Sequence, residues 1–109
     1  MAETRKVLGQ LIPAATTLIA VYTVPAATQA VVSSIMVCNQ EATAKTFRVS
    51  IAVAGAADNE KQYILFDHAL DGNTSFEVTI GITLAATDVI RVYSSATKTS
   101  FNVFGVEIT

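Results

Sequence analysis

A histidine beside an acid is the first arrangement in this sequence that chemistry could use. His68 is the single histidine, and Asp67 precedes it. A hydrolytic triad needs the imidazole within hydrogen-bond reach of a Ser or Cys and of an orienting carboxylate. The pair lies in Gln62–His68, which has the composition of a strand, and successive strand residues point to opposite faces. No G-x-S-x-G elbow surrounds Ser33, Ser34 or any other serine. His68 is therefore expected as a strand histidine without a catalytic role. Cys38 is the single cysteine, set in an apolar run with no His or Lys beside it, which is the setting of an inert buried thiol. It also excludes an intrachain disulfide. One His and one Cys cannot close a transition-metal site. Asp58-Asn59-Glu60, and Asp67 with Asp71-Gly72-Asn73, place oxygen ligands in loops, but neither set has calcium-loop spacing and both are ordinary turn compositions. Gly55, Gly72, Gly81 and Gly105 are isolated, so no phosphate-cradling loop is evident. Tyr22, Tyr63 and Tyr93 fall in three separate apolar runs and are expected in core or interface packing, with a sugar groove as the competing use. The expectation is no catalytic residue, no metal and no cofactor.

The elements that would position these groups are strands. Phe47, Val49, Ile51 and Val53 alternate with Thr46, Arg48, Ser50 and Ala52, the period-two signature of a strand with one buried face. Before them, Ala30–Cys38 is apolar on both faces, and Asn39-Gln40-Glu41-Ala42-Thr43 supplies a polar turn. The stretch Thr28–Val53 thus reads as a hairpin of two long strands belonging in the middle of a sheet. Further strands are expected at Val7–Ile12, Thr17–Val24, Gln62–His68, Ser75–Ile82, Val89–Ser94 and Ser100–Ile108, where Gly105 hints at a bulge or a close backbone approach. No segment carries a sustained helical stripe. The fold class is all-β: a single antiparallel β-sandwich of about eight strands, jelly-roll-like, over residues 7–109. Residues 1–6 (MAETRK) are polar and charged and are expected to form a flexible N-terminal arm.

Composition adds a bias toward association. Of 109 residues, 51% are hydrophobic and only 15% charged, against about 25% charged in an ordinary soluble domain. A lone subunit of that composition would leave apolar patches in water, so a homo-oligomer is expected. The net charge of −2, with basic residues scattered, gives no argument for nucleic acid. No Asp, Glu, Lys or Arg occurs between Lys6 and Glu41, yet Gly9, Gln10, Pro13 and Pro25 break the interval too often for a spanning helix or a signal peptide. No membrane partner is expected.

Taken whole, the chain resembles small virion structural proteins of tailed bacteriophages. The resemblance is carried by Leu8-Gly9-Gln10, Val21-Tyr22-Thr23-Val24-Pro25-Ala26, Val31-Val32-Ser33-Ser34-Ile35 with Val37-Cys38-Asn39, Thr46-Phe47-Arg48-Val49-Ser50, Leu84 with Asp88-Val89-Ile90-Arg91-Val92, and Gly105-Val106-Glu107-Ile108. It implies a non-enzymatic β-sandwich at a repeated position on the virion, made in the host bacterial cytoplasm. The favoured role is a capsid decoration (cement) protein that binds the major capsid protein, as a trimer. The alternatives are a tail, baseplate or fibre accessory protein, or a carbohydrate-binding module. The residues expected to make contacts are Glu3, Arg5 and Lys6 of the arm, and Ala30, Val32 and Met36 on the apolar strand.

Overall fold

The computed structural model describes residues 2–109. Nine strands follow one another: β1 (Glu3–Leu11), β2 (Ile19–Thr23), β3 (Gln29–Asn39), β4 (Lys45–Ala52), β5 (Tyr63–Leu70), β6 (Ser75–Val78), β7 (Ile82–Leu84), β8 (Val89–Ser94) and β9 (Thr99–Ile108). Two short 3₁₀ turns, Val53–Gly55 and Glu60–Gln62, are the only helical segments among the described residues. The first sheet has the order β1-β9-β3-β6, with β7 also paired to β3; the second has the order β2-β8-β4-β5. β6 faces Ile35–Cys38 of β3 and β7 faces Ala30–Val32, so the two are one strand position, interrupted midway.

The pairs nest. β4 lies against β5, β3 against β6 and β7, β2 against β8, and β1 against β9. A long double-stranded ribbon folded over into two layers has this connectivity, and it is a jelly roll. The all-β sandwich expected from the alternation is what forms.

The expected hairpin does not form. β3 and β4 are both central strands, as their apolar faces require, but they sit in different sheets. The segment between them is a corner, and Asn39 builds it. This fully buried side chain donates from Nδ2 to the carbonyls of Thr43 (3.0 Å), Leu70 (3.2 Å) and Asp71 (3.3 Å), and its Oδ1 accepts from the Glu41 amide (3.0 Å). One amide thereby ties the β3–β4 corner to the end of β5, and its burial is compensated on both of its polar atoms.

Residues 3–6 are not an arm. They are the first half of β1, in register with β9 from Glu3↔Ile108 to Lys6↔Gly105. Ala2 and Thr109 extend the ladder by exchanging amide hydrogen bonds of 2.8 and 2.9 Å. A strand at a sheet edge needs little apolar surface of its own, because the backbone groups of β9 require a partner whatever its side chains. Met1 lies outside the described residues.

Between the layers lie Phe47, Phe101, Ile35, Ile90, Val24, Val32, Val37, Val49, Val92 and Val103, all fully buried. Phe47 meets Phe101 edge-on at 6.1 Å and Phe76 at 5.9 Å, favourable geometries for aromatic quadrupoles.

One line of irregularity crosses the first sheet. β1 carries an extra residue at Leu8, opposite Val103–Phe104 of β9, and β3 carries one at Ser33, opposite Phe104–Gly105. The β6–β7 interruption, Thr79–Gly81, falls at the same level of β3. Ser33 Oγ donates to the Phe104 carbonyl at 3.1 Å, satisfying a group that the bulge frees. A side chain at Gly105 has no room: a Cβ there would lie 2.2 Å from the Val31 carbonyl oxygen and 3.0 Å from Leu8 Cδ1. The close approach expected at Gly105 is real, and the extra residues belong to its neighbours.

The bulge at Ser33 inverts part of β3. A one-residue slip sends side chains to the opposite face, so Ala30 and Val32 point inward before it, while Ile35 and Val37 point inward after it. Gly105→Ala is expected to cost about 1–3 kcal/mol through backbone displacement, and Asn39→Ala a similar amount through unpaired carbonyls. Urea denaturation of both variants checks this; a midpoint unchanged from wild type in either contradicts the corresponding packing.

Candidate interaction surfaces

The outer face of the second sheet carries a close grouping of polar and aromatic side chains. Arg48 projects from β4 opposite Tyr93 of β8. On its other side the ladder with β5 is irregular: Phe47 pairs with His68 and Val49 with Leu65, so Phe66 and Asp67 both stand opposite Arg48 alone. Asp67 has φ of +50°, a left-handed conformation that Asp tolerates better than most residues. The result is a stack. The guanidinium carbon sits 4.1 Å from the centre of the Phe66 ring and 4.3 Å from that of Tyr93. Its Nε and Nη2 donate to the two carboxylate oxygens of Asp67 at 2.6 and 3.2 Å. This bidentate pair holds the Asp67 carboxyl below the usual carboxylate range and raises the guanidinium further.

Tyr63 meets Phe66 edge-on at 5.1 Å. Burial, and then the Asp58 carboxylate, push the Tyr63 hydroxyl up. Glu60, Tyr63 and Phe66 line an open cleft of about 390 Å³, and Phe66 is 58% exposed. An aromatic face held rigid by a stacked cation and edged by a carboxylate suits a flat, hydroxyl-rich ligand or a partner chain. Tyr63 and Tyr93 thus face outward, where the sequence left core and interface both open. Phe66 was missed, because its place depends on the irregular ladder rather than on alternation. The signal that could have found it was Arg48, a charge in the middle of an apolar strand.

A second polar group lies between the sheets. Tyr22, from β2, donates to Glu107 Oε2 of β9 at 2.7 Å, and Lys6 Nζ of β1 lies 3.0 Å from Glu107 Oε1. The Tyr22 hydroxyl is raised, first by burial and then by the Glu107 carboxylate. Glu107 is held below the usual carboxylate range by the Tyr22 hydroxyl first and by Lys6 second. The three residues join the two layers at the β1–β2 end.

The six residues expected to make contacts separate into three groups. Glu3, Arg5 and Lys6 lie on β1, at the outer margin of the first sheet, and Lys6 is engaged with Glu107. Ala30 and Val32 are 0% and 1% exposed and belong to the core, on the inverted half of β3. They cannot meet another chain. Met36 is half-buried on the outer face of the first sheet.

His68 and Asp67 part as alternation requires. His68 packs on Phe76 at 4.3 Å and Phe47 at 5.3 Å, while Asp67 engages Arg48. Asn59 caps the 3₁₀ turn, its Oδ1 accepting from the Lys61 amide at 3.1 Å, so this acidic loop is spent on local structure. Among the described residues no group of three His, Cys, Asp or Glu side chains converges as a metal site would require.

No protein-family model matches the chain, and no curated protein matches it. Among solved structures the chain is similar to one in the structure of infectious bursal disease virus, Gx strain, with a TM-score of 0.54 and 11% identity. The match covers 97% of this chain and 32% of that one, so this chain spans about a third of the length of its structural neighbour. At that identity the likeness is one of fold.

The Tyr22–Glu107–Lys6 group sets a pH dependence. Because the folded state lowers the Glu107 value, the stability it contributes is present above the unfolded carboxylate value and is lost as pH falls through the lower folded value. Glu107→Gln is expected to lower the urea midpoint at about pH 7, and the gap to wild type is expected to narrow steadily as pH falls below the unfolded carboxylate value. A gap that stays constant across this range rejects the carboxylate as its source.

Proposed function

We propose that the chain is a non-enzymatic structural protein of a virion, a capsid decoration protein that binds the major capsid protein and links neighbouring subunits, working as an oligomer. The observation that carries this reading is the nested jelly-roll connectivity, together with the fold likeness to a chain of a virus structure over 97% of this sequence. Jelly rolls recur in viral capsid and lectin domains, and fold by itself does not set function. The tailed-phage resemblance supports the finer role of decoration.

The mechanism is passive. Each contact that buries about 1,600 Å² adds a link between shell subunits, and repetition across a lattice multiplies the effect without new chemistry. Two surfaces suit such contacts. One is the outer face of the first sheet, which carries half-buried Met36 opposite Asn102, Phe104 opposite Ser34, and Val31 opposite Val106. The other is the Arg48–Phe66–Tyr93 stack, rich in the aromatic and Arg side chains that anchor interfaces.

The Tyr63–Phe66 cleft favours a second reading, a carbohydrate-binding module. Under it, Phe66→Ala lowers glycan affinity about tenfold, the loss of one stacking contact. A glycan array on which the wild type binds nothing removes that reading.

Particles assembled without the protein are expected to lose resistance to heat and osmotic shock, and to regain it when purified protein is added back. Equal robustness with and without the protein, or imaging that finds it absent from the shell, rejects decoration.

A further inference from the structure

We infer that the free edge of β1 pairs with β1 of a second copy, antiparallel about a two-fold axis, in a register set by Glu3 opposite Arg5 of the partner subunit.

The backbone decides which residues face outward. Ala2 and Thr109 exchange both amide bonds, and the register from there to Lys6↔Gly105 is unbroken. In an antiparallel ladder such doubly bonded pairs alternate with unbonded ones. Ala2, Thr4 and Lys6 therefore spend their amide and carbonyl on β9, while Glu3, Arg5 and Val7 direct theirs away from it. Among the described residues no strand pairs with β1 on that side. Residues 2–7 are all exposed. This is a row of unpaired backbone groups of the kind that templates another strand.

Charge then selects the register. A two-fold pairing must bring outward-directed residues together, so it centres on Glu3, Thr4, Arg5 or Lys6. Centring on Glu3, Arg5 or Lys6 sets that residue against its own copy, a like-charge pair, which is unfavourable directly across strands. Centring on Thr4 places Glu3 opposite the partner's Arg5, and Arg5 opposite the partner's Glu3, with Thr4 against the partner's Thr4. Both charge pairs lie on one face, where Arg5 Nη2 already reaches to 3.9 Å from Glu3 Oε1 within the chain. The bulge at Leu8 ends the run, because beyond it the bonding phase of β1 reverses. The ladder is thus short, about five residues from each copy, with roughly four new hydrogen bonds. It continues the first sheet of one protomer into that of its partner.

This specifies the self-association named above and needs neither the capsid nor the virion. It makes the association two-fold, in place of the trimer favoured by resemblance.

Sedimentation velocity over a concentration series tests it. The wild type is expected to form a reversible dimer. Arg5→Glu is expected to weaken it about tenfold or more, by turning two favourable pairs into like-charge pairs. The double exchange Glu3→Arg with Arg5→Glu restores the pairing and the dimer. Arg5→Pro removes an amide that β9 does not use, which an edge strand tolerates, so it is expected to give a monomer with an unchanged thermal midpoint. An oligomer that survives Arg5→Pro, or a trimer, overturns the β1 edge while leaving self-association intact. A wild type that stays monomeric throughout overturns both.

Discussion

The backbone of β9 at Gly105 is the constraint from which much of the first sheet follows. Two neighbouring strands close on it, one carbonyl of β3 occupies the space a Cβ would need, and each neighbour takes up the mismatch with one extra residue. The fourth strand position breaks at the same level. Bulges bend a strand and increase its local twist, so a sheet interrupted along one line can curve around the core as a regular one cannot. The second sheet has its own irregularities, at Val21 of β2 and at Phe66–Asp67 of β5. Those place side chains where alternation would not: Tyr22 toward Glu107, and Phe66 beside Arg48.

Much of this fold was legible in the sequence, in proportion to how local its cause is. Alternation in 46–53 and the two-faced apolar run in 30–38 identify central strands, and both are central. The separation of Asp67 from His68 follows from strand geometry. Gly105 announced its own crowding. What escaped depends on contacts distant in the chain. Asn39 looked like an ordinary turn residue because its partners, Leu70 and Asp71, are some thirty positions away. The corner it builds therefore passed for a hairpin. Ala30 and Val32 passed for surface because a single extra residue at Ser33 cannot be seen in a run that is apolar on both faces. The polar residues 3–6 passed for an arm because a strand at a sheet margin is held by its backbone, which has no sequence signature.

The same distinction governs the candidate surfaces. Side chains that act through neighbours in three strands, as Arg48 does with Asp67, Phe66 and Tyr93, were visible one at a time and meaningless until the sheet aligned them. The charge on Arg48 is internally matched, so the stack presents ring faces and edges rather than a bare cation. On the margin of the first sheet the reverse holds. There the backbone is unsatisfied and the side chains sort among possible pairings. The protein thus offers two kinds of surface, one defined by shape and one by hydrogen-bond direction.

The nested order of strands has a kinetic corollary. The β4–β5 ribbon closes a short loop, whereas the β1–β9 rung joins residues from opposite ends of the chain. Loop-closure entropy favours the inner rung first, and each outer rung then has less chain left to order. Topologies dominated by such remote pairings reach the native state in milliseconds to seconds rather than microseconds. The last strand pair to zip up is thus the one whose outer margin remains open, and a chain still waiting for β1 would leave the edge of β9 uncovered.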